Sequence, residues 1–178
     1  MQHQIPNLFL SHNLPLSLKP IKTLCMTQLT TIILAAGKGT RMKSNLPKVL
    51  HEVGGRSLVW HVLKLASQLK SQQNVLVVPK DHSELEEGLS PFSKDFKYDF
   101  AVQVQQRGTG DAVKSALKSV KSKKGVVIIL SGDMPLVSVK SIRNLLKAHN
   151  KGKCAVTMTS VEADVQSAFG RVVRNSKS

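Results

Sequence analysis

Residues 34–50, Leu-Ala-Ala-Gly-Lys-Gly-Thr-Arg-Met-Lys-Ser-Asn-Leu-Pro-Lys-Val-Leu, constrain this chain more than any other stretch. A short apolar strand, Leu29 to Leu34, runs directly into a loop of small residues. Ala35, Ala36, Gly37 and Gly39 remove side-chain bulk, so backbone N–H groups can approach and cradle phosphate oxygens. Arg41 and Lys48 follow, two cations able to neutralise a polyphosphate held there. The loop therefore reads as one that handles nucleotides. Two commoner phosphate loops are excluded by spacing. No stretch fits Gly-x-x-x-x-Gly-Lys-Ser/Thr, and Gly37-Lys38-Gly39-Thr40-Arg41 is followed by Met42, not by the glycine or alanine of the dinucleotide fingerprint. The plain alternative is a strand and turn with incidental basic residues, which the number of positions agreeing at once argues against.

The rest of the chain alternates strand-like and helix-like patterns. Apolar runs at 29–34, 74–78, 99–104, 126–130 and 154–161 predict five strands. Between them, Leu58, Val59, Val62, Leu63, Ala66 and Leu69 mark one helix face. Ala112, Val113, Ala116, Leu117 and Val120 mark a second, and Val139, Ile142, Leu145 and Leu146 a third. Continuously apolar strands separated by helices predict an α/β fold, Rossmann-like and doubly wound, with a mostly parallel sheet covered on both faces. Low aromatic content, 4 %, fits this better than a β-sandwich.

Ligands of such a sheet bind beyond the carboxyl ends of its strands. Three of those ends carry unusual chemistry. After the first comes the Gly37 loop. After the third comes Gln103-Val104-Gln105-Gln106-Arg107-Gly108-Thr109-Gly110, and after the fourth Ser131-Gly132-Asp133-Met134-Pro135-Leu136. Asp133, where an apolar strand stops, is a natural Mg²⁺ ligand, because Mg²⁺ takes one or two protein carboxylates and fills its shell with phosphate oxygens and water. The bland reading of Asp133 is a turn former. The Gln103 amide can donate and accept together, matching a uracil edge, and Gly108 and Gly110 expose backbone to a base. Thr109 is equally suited to cap a helix N-terminus.

The first loop resembles the signature of sugar-phosphate nucleotidylyltransferases, Leu-Ala-x-Gly-x-Gly-Thr-Arg-Met followed by Pro-Lys. Together the three loops resemble the uridylyltransferase domain of bacterial N-acetylglucosamine-1-phosphate uridyltransferases, bifunctional enzymes that make UDP-N-acetylglucosamine, a cell-wall precursor. The resemblance covers about residues 28–174 and includes Leu-Pro-Lys-Val-Leu-His, Gly-Asp-Met-Pro-Leu and Phe-Gly-Arg-Val-Val-Arg in the expected order. It implies that Leu34, Ala35, Ala36, Gly37, Lys48, Gln103, Gly108 and Thr109 contact the nucleotide. It also implies that Ser131, Gly132 and Asp133 line the site, that Asp133 binds Mg²⁺, and that Gly170 touches the sugar. Arg41 and Lys48 are the expected catalytic cations, and UTP and a sugar-1-phosphate the expected partners.

Departures from that family are equally specific. Its further sugar-binding residues and a second metal ligand lie beyond the position of Gly170, and its acetyltransferase half, through which it trimerises, follows later still. Residues 26–178 are thus expected to form a C-terminally truncated nucleotidylyltransferase domain whose sheet exposes an edge. Arg107 and Asp111 replace less charged or differently charged residues common in the family. The alternatives kept open are a non-catalytic nucleotide-binding module and a related nucleotidylyltransferase with another acceptor.

Bulk properties add boundaries. The formal net charge is +15, which favours anionic substrates by steering them. A basic nucleic-acid-associated protein is a third possibility. It is not expected, since the lysines at 114, 118, 121, 123 and 124 and at 140, 147, 151 and 153 are scattered, with few aromatics among them to stack bases. Cys25 and Cys154 lack metal spacing and read as reduced thiols, the six histidines form no zinc pattern, and no apolar run is long enough to span a membrane. Cytoplasmic location is the expectation. Residues 1–25 carry no acid, three prolines and no sustained period, and read as a disordered leader.

Overall fold

The computed structural model describes residues 28–37, 39, 42–152, 154–162, 170, 172 and 173. The expected leader, residues 1–25, lies outside the described residues, as does Arg41. In chain order the elements are β1 (Leu29–Leu34), β2 (Glu52–Val53), β3 (Arg56–Ser57), α1 (Leu58–Gln68), β4 (Gln73–Pro79), α2 (Ser83–Leu89), β5 (Asp99–Gln103), α3 (Thr109–Leu117), β6 (Val126–Ser131) and α4 (Val139–Gly152). A single 3₁₀ turn, Lys48–Leu50, leads into the small antiparallel β2–β3 hairpin.

β1 lies in the interior of a four-stranded sheet ordered β5-β4-β1-β6, every pairing parallel. Ile32 is opposite Val75 on one side and Ile129 on the other. Alternate strand residues feed two cores. Ile33, Leu76, Val78, Ile128 and Leu130 pack with α1, α2 and Ile142 of α4. Ile32, Val75, Val77 and Ala101 pack with Ala112 and Ala116 of α3. The unbroken burial of Leu29–Ile33 in β1, Thr30 and Thr31 included, and of Val75–Val78 in β4 is thus the signature of strands covered on both faces. Removing Ile32 or Leu63, both fully buried, forfeits about 2–5 kcal/mol through lost transfer energy and a residual cavity.

The chain builds β1, β4 and β5 outwards in one direction, then crosses by α3 on the opposite face to lay β6 along the other edge of β1. The order of strands reverses between β1 and β6. In a doubly wound sheet this reversal opens a crevice at the strand C-termini, because the loops leaving the two strands diverge.

Two expectations from the sequence are corrected. Residues 154–161 do not form a strand: described residues 154–162 are irregular, with Val156, Met158 and Val161 largely exposed. A strand needs a neighbour to bond its backbone, and β6 pairs only with β1 among the described residues. Val127 and Ile129 of β6 are exposed on the sheet face opposite Ile128 and Leu130. Leu117, expected on the buried face of α3, is 53 % exposed; α3 packs through its alanines, and Leu117 points away. Helix α2 and the β2–β3 hairpin are additions that periodicity did not announce, both too short to carry one.

Candidate active site

The crevice predicted by the strand order is a cleft of about 940 Å³. Its walls come from the ends of all four parallel strands. Leu34, Ala36, Gly37, Gly39 and Lys48 line it from β1 and the segment that follows, Gln103, Gly108 and Thr109 from the end of β5 and the start of α3, and Ser131 and Asp133 from the end of β6.

Backbone approach shapes the centre. Gly39 has φ of +59°, and a Cβ there would stand 2.7 Å from Cβ of Lys48. Only glycine both adopts that conformation without strain and lets the small-residue loop close on the lysine. Gly132 is a second close approach: its N–H donates to the Leu34 carbonyl at 2.9 Å, and an added Cβ would lie 2.8 Å from that oxygen. The end of β6 is thereby drawn against the end of β1, which brings Asp133 beside the loop.

Asp133 is held at both carboxylate oxygens. Oδ1 accepts from the Ser131 hydroxyl at 2.5 Å, and Oδ2 pairs with the Lys48 ammonium. Burial pushes the Asp133 carboxyl up, but the Lys48 ammonium and the Ser131 hydroxyl outweigh it and hold it below the ordinary carboxylate value. The group is therefore ionised at neutral pH. Two residues far apart in sequence supply the opposite charges that a metal–triphosphate needs: a carboxylate for the cation and an ammonium for phosphate.

Base-side geometry differs from expectation in one respect. Gln103, only 3 % exposed, spends its amide nitrogen inside the protein, donating to Asp111 Oδ2 at 2.8 Å and to the Gly108 carbonyl at 3.3 Å. Thr109 lines the cleft but does not cap α3; Gly108 occupies the N-cap position and Thr109 begins the helix. Among the remaining expected residues, Ala35 and Gly132 are buried just behind the cleft wall, and Gly170 is exposed and not part of the wall.

Sequence reasoning missed several residues of the cleft. Pro79, Lys80 and Asp81, at the end of β4, also line the cleft. The rule that located the other loops applies equally to this strand, so they were open to discovery. Gln106 reaches across to donate from Nε2 to the Ala36 carbonyl at 2.6 Å, joining the loop after β5 to the loop after β1. Its position in the Gln-rich segment was visible, but its partner, seventy positions away, was not.

A hard divalent cation fits this donor set on one condition. The described residues contain no cluster of three or more His, Cys, Asp or Glu that could enclose a metal. Asp133 offers one carboxylate in the cleft wall, so a bound nucleotide and water would have to complete the shell, as Mg²⁺ prefers.

Known proteins share this sequence and shape. The chain is 41 % identical over 151 residues to the bifunctional protein GlmU of Anaeromyxobacter dehalogenans, covering 85 % of this chain and 31 % of that protein. It is 38 % identical over 144 residues to GlmU of Streptococcus uberis, covering 81 % and 30 %. The chain therefore spans under a third of the length of these curated relatives. Among solved structures, Rv0371c from Mycobacterium tuberculosis superposes with a TM-score of 0.57 at 22 % identity, over 70 % of this chain and 62 % of that one. The 4-diphosphocytidyl-2C-methyl-D-erythritol synthase of Anaerococcus prevotii gives 0.56 at 23 %, over 70 % and 52 %. These two establish the fold alone, a Rossmann-like, mostly parallel sheet with helices on both faces. A family model, the MobA-like NTP transferase domain, matches residues 31–174, and on that match the chain belongs to this family of nucleotidyltransferases.

Proposed function

We propose that the domain transfers UMP from UTP to N-acetylglucosamine-1-phosphate, giving UDP-N-acetylglucosamine and pyrophosphate, with Mg²⁺ as the working cation. The observation that carries this reading is the meeting of Lys48 and Asp133 across the reversal point of the sheet, beside the small residues Ala36, Gly37 and Gly39. The relatives near 40 % identity support the choice of substrates. Rv0371c has been crystallised with manganese, which supports a divalent cation. The setting is cytoplasmic, and no described helix is long and apolar enough to cross a membrane.

In the reaction, backbone N–H groups of Ala36 to Gly39 hold the phosphate chain, and Lys48 leaves Asp133 to neutralise charge growing on the departing pyrophosphate. Arg41 supplies a second cation to the same group. A phosphate oxygen of the sugar phosphate attacks the α-phosphorus. The bond from that phosphorus to the bridging oxygen breaks on the opposite side, and the electron pair leaves on pyrophosphate. Ser131 keeps Asp133 oriented, and Asp133 would hold the cation. When bound, that cation screens the phosphate charges and orients them. Positioning and electrostatics supply the acceleration, since phosphoryl transfer asks little covalent chemistry of the protein. Gly170 belongs to the sugar end.

The test is pyrophosphate release from UTP, Mg²⁺ and the sugar phosphate, with the UDP-sugar identified by mass. Asp133→Ala should lower kcat by about 10² or more; near-normal turnover in that variant would sink the metal assignment. The short span relative to the GlmU proteins favours one second reading, a nucleotide-binding module without turnover. UTP binding with no pyrophosphate released by the wild-type chain would select it.

A further inference from the structure

We propose that Asp111 is a specificity-determining positioning residue: it clamps the Gln103 amide so that only its carbonyl oxygen is left to read the nucleobase. The inference rests on the nucleotide reading above and deepens it.

An amide side chain has two orientations related by a half-turn, and its neighbours decide between them. Here both neighbours of the Gln103 nitrogen are acceptors. Asp111 Oδ2 stands at 2.8 Å and the Gly108 carbonyl at 3.3 Å. The Gln103 hydrogen bond is the leading reason that the Asp111 carboxyl is held below its ordinary value, so Asp111 is a carboxylate at neutral pH and cannot donate. Turning the amide over would set its oxygen against two acceptor oxygens. Both amide protons are therefore committed inside the protein, while Oε1 has no protein partner among the described residues. Gln103 lies in the cleft wall, so this oxygen is the polar group it can offer a ligand.

An unrestrained glutamine reads a pyrimidine edge with one donor and one acceptor. The clamped one accepts only. It therefore requires an N–H donor on the base, which uracil presents at N3 and cytosine at its amino group, and it makes no bond to a base edge that only accepts. Discrimination shifts from the identity of the pyrimidine to the presence of a donor.

The test compares binding of three probes, each with Mg²⁺, by titration calorimetry on the full chain. These are UTP, the triphosphate of 2-pyrimidinone riboside (a ring acceptor but no N–H donor) and inorganic tripolyphosphate. Wild type should bind the pyrimidinone nucleotide at least about fivefold more weakly than UTP. In Asp111→Ala the amide is free to turn and donate to the pyrimidinone ring nitrogen, so the gap should close to within about twofold, with tripolyphosphate affinity unchanged. Asp111→Asn, which retains the shape and can still accept, should narrow the gap less. It serves as the test if the alanine variant does not fold. Equal binding of both nucleotides by wild type, or an undiminished gap in both folded variants, would overturn the clamp while leaving the nucleotide reading in place. Failure of wild type to bind any of the three would overturn both.

Discussion

At the scale of single residues, the Lys48–Asp133 pair governs both charge and shape at the cleft. Because the Asp133 carboxyl is depressed in the folded chain, its contribution to stability is present above the ordinary carboxylate pKa and is lost as pH falls through the folded value. Melting temperatures of wild type and Asp133→Asn should therefore differ at neutral pH and converge below about pH 4. A constant difference down to pH 3 would mean that the pair contributes nothing through ionisation. The residues themselves were open to sequence reading, and Lys48, Ser131 and Asp133 all line the cleft. Their pairing was not, because the loop chemistry of each segment says where a charge lies along the chain and nothing about which opposite charge it meets. The same limit hid Asp111. Its departure from the family pattern was plain, but its bond to Gln103 depends on how the first turn of α3 sits over the end of β5.

Among the elements, the loops after β1 and β5 behave as one wall because Gln106 ties them at Ala36. Gln106→Ala removes one partly buried neutral hydrogen bond, worth about 0.5–1.5 kcal/mol. Deuterium exchange should rise at residues 36–39 and 104–108 with the sheet unaffected, and UTP should bind more weakly; unchanged exchange in both loops would show them to be independent. Long elements were the legible ones. β1, β4 and β6 carry enough consecutive apolar residues to identify themselves, and α1 shows its stripe over three turns. Segment 154–161 shows the converse. Its composition suits a strand, but strand formation is a property of a pair, and no partner lies alongside it among the described residues. Composition alone could not reveal that.

For the whole molecule, the formal charge of +15 surrounds a cleft that already contains Lys48 and Lys80. Long-range attraction of this kind acts on encounter rates and is screened within about 10 Å at 0.1 M salt. The association rate constant for UTP should consequently fall as salt is raised from 0.02 to about 0.3 M, with a much smaller change in dissociation, as stopped-flow fluorescence would read. A larger effect on dissociation would place the charge dependence in the bound contacts alone.

The strand order also sets a clock. Leu29 of β1 waits for Val126 of β6 before that side of the sheet can pair. At cellular translation rates of about 5–20 residues per second, the gap between their synthesis is roughly 5–20 seconds. Throughout that interval the loop after β1 exists while Asp133 does not, so a nascent chain has half a site and nothing to complete it. Nucleotide can engage Asp133 only after β6 is made, and until then the side of β1 that β4 leaves free must be kept from pairing with anything else.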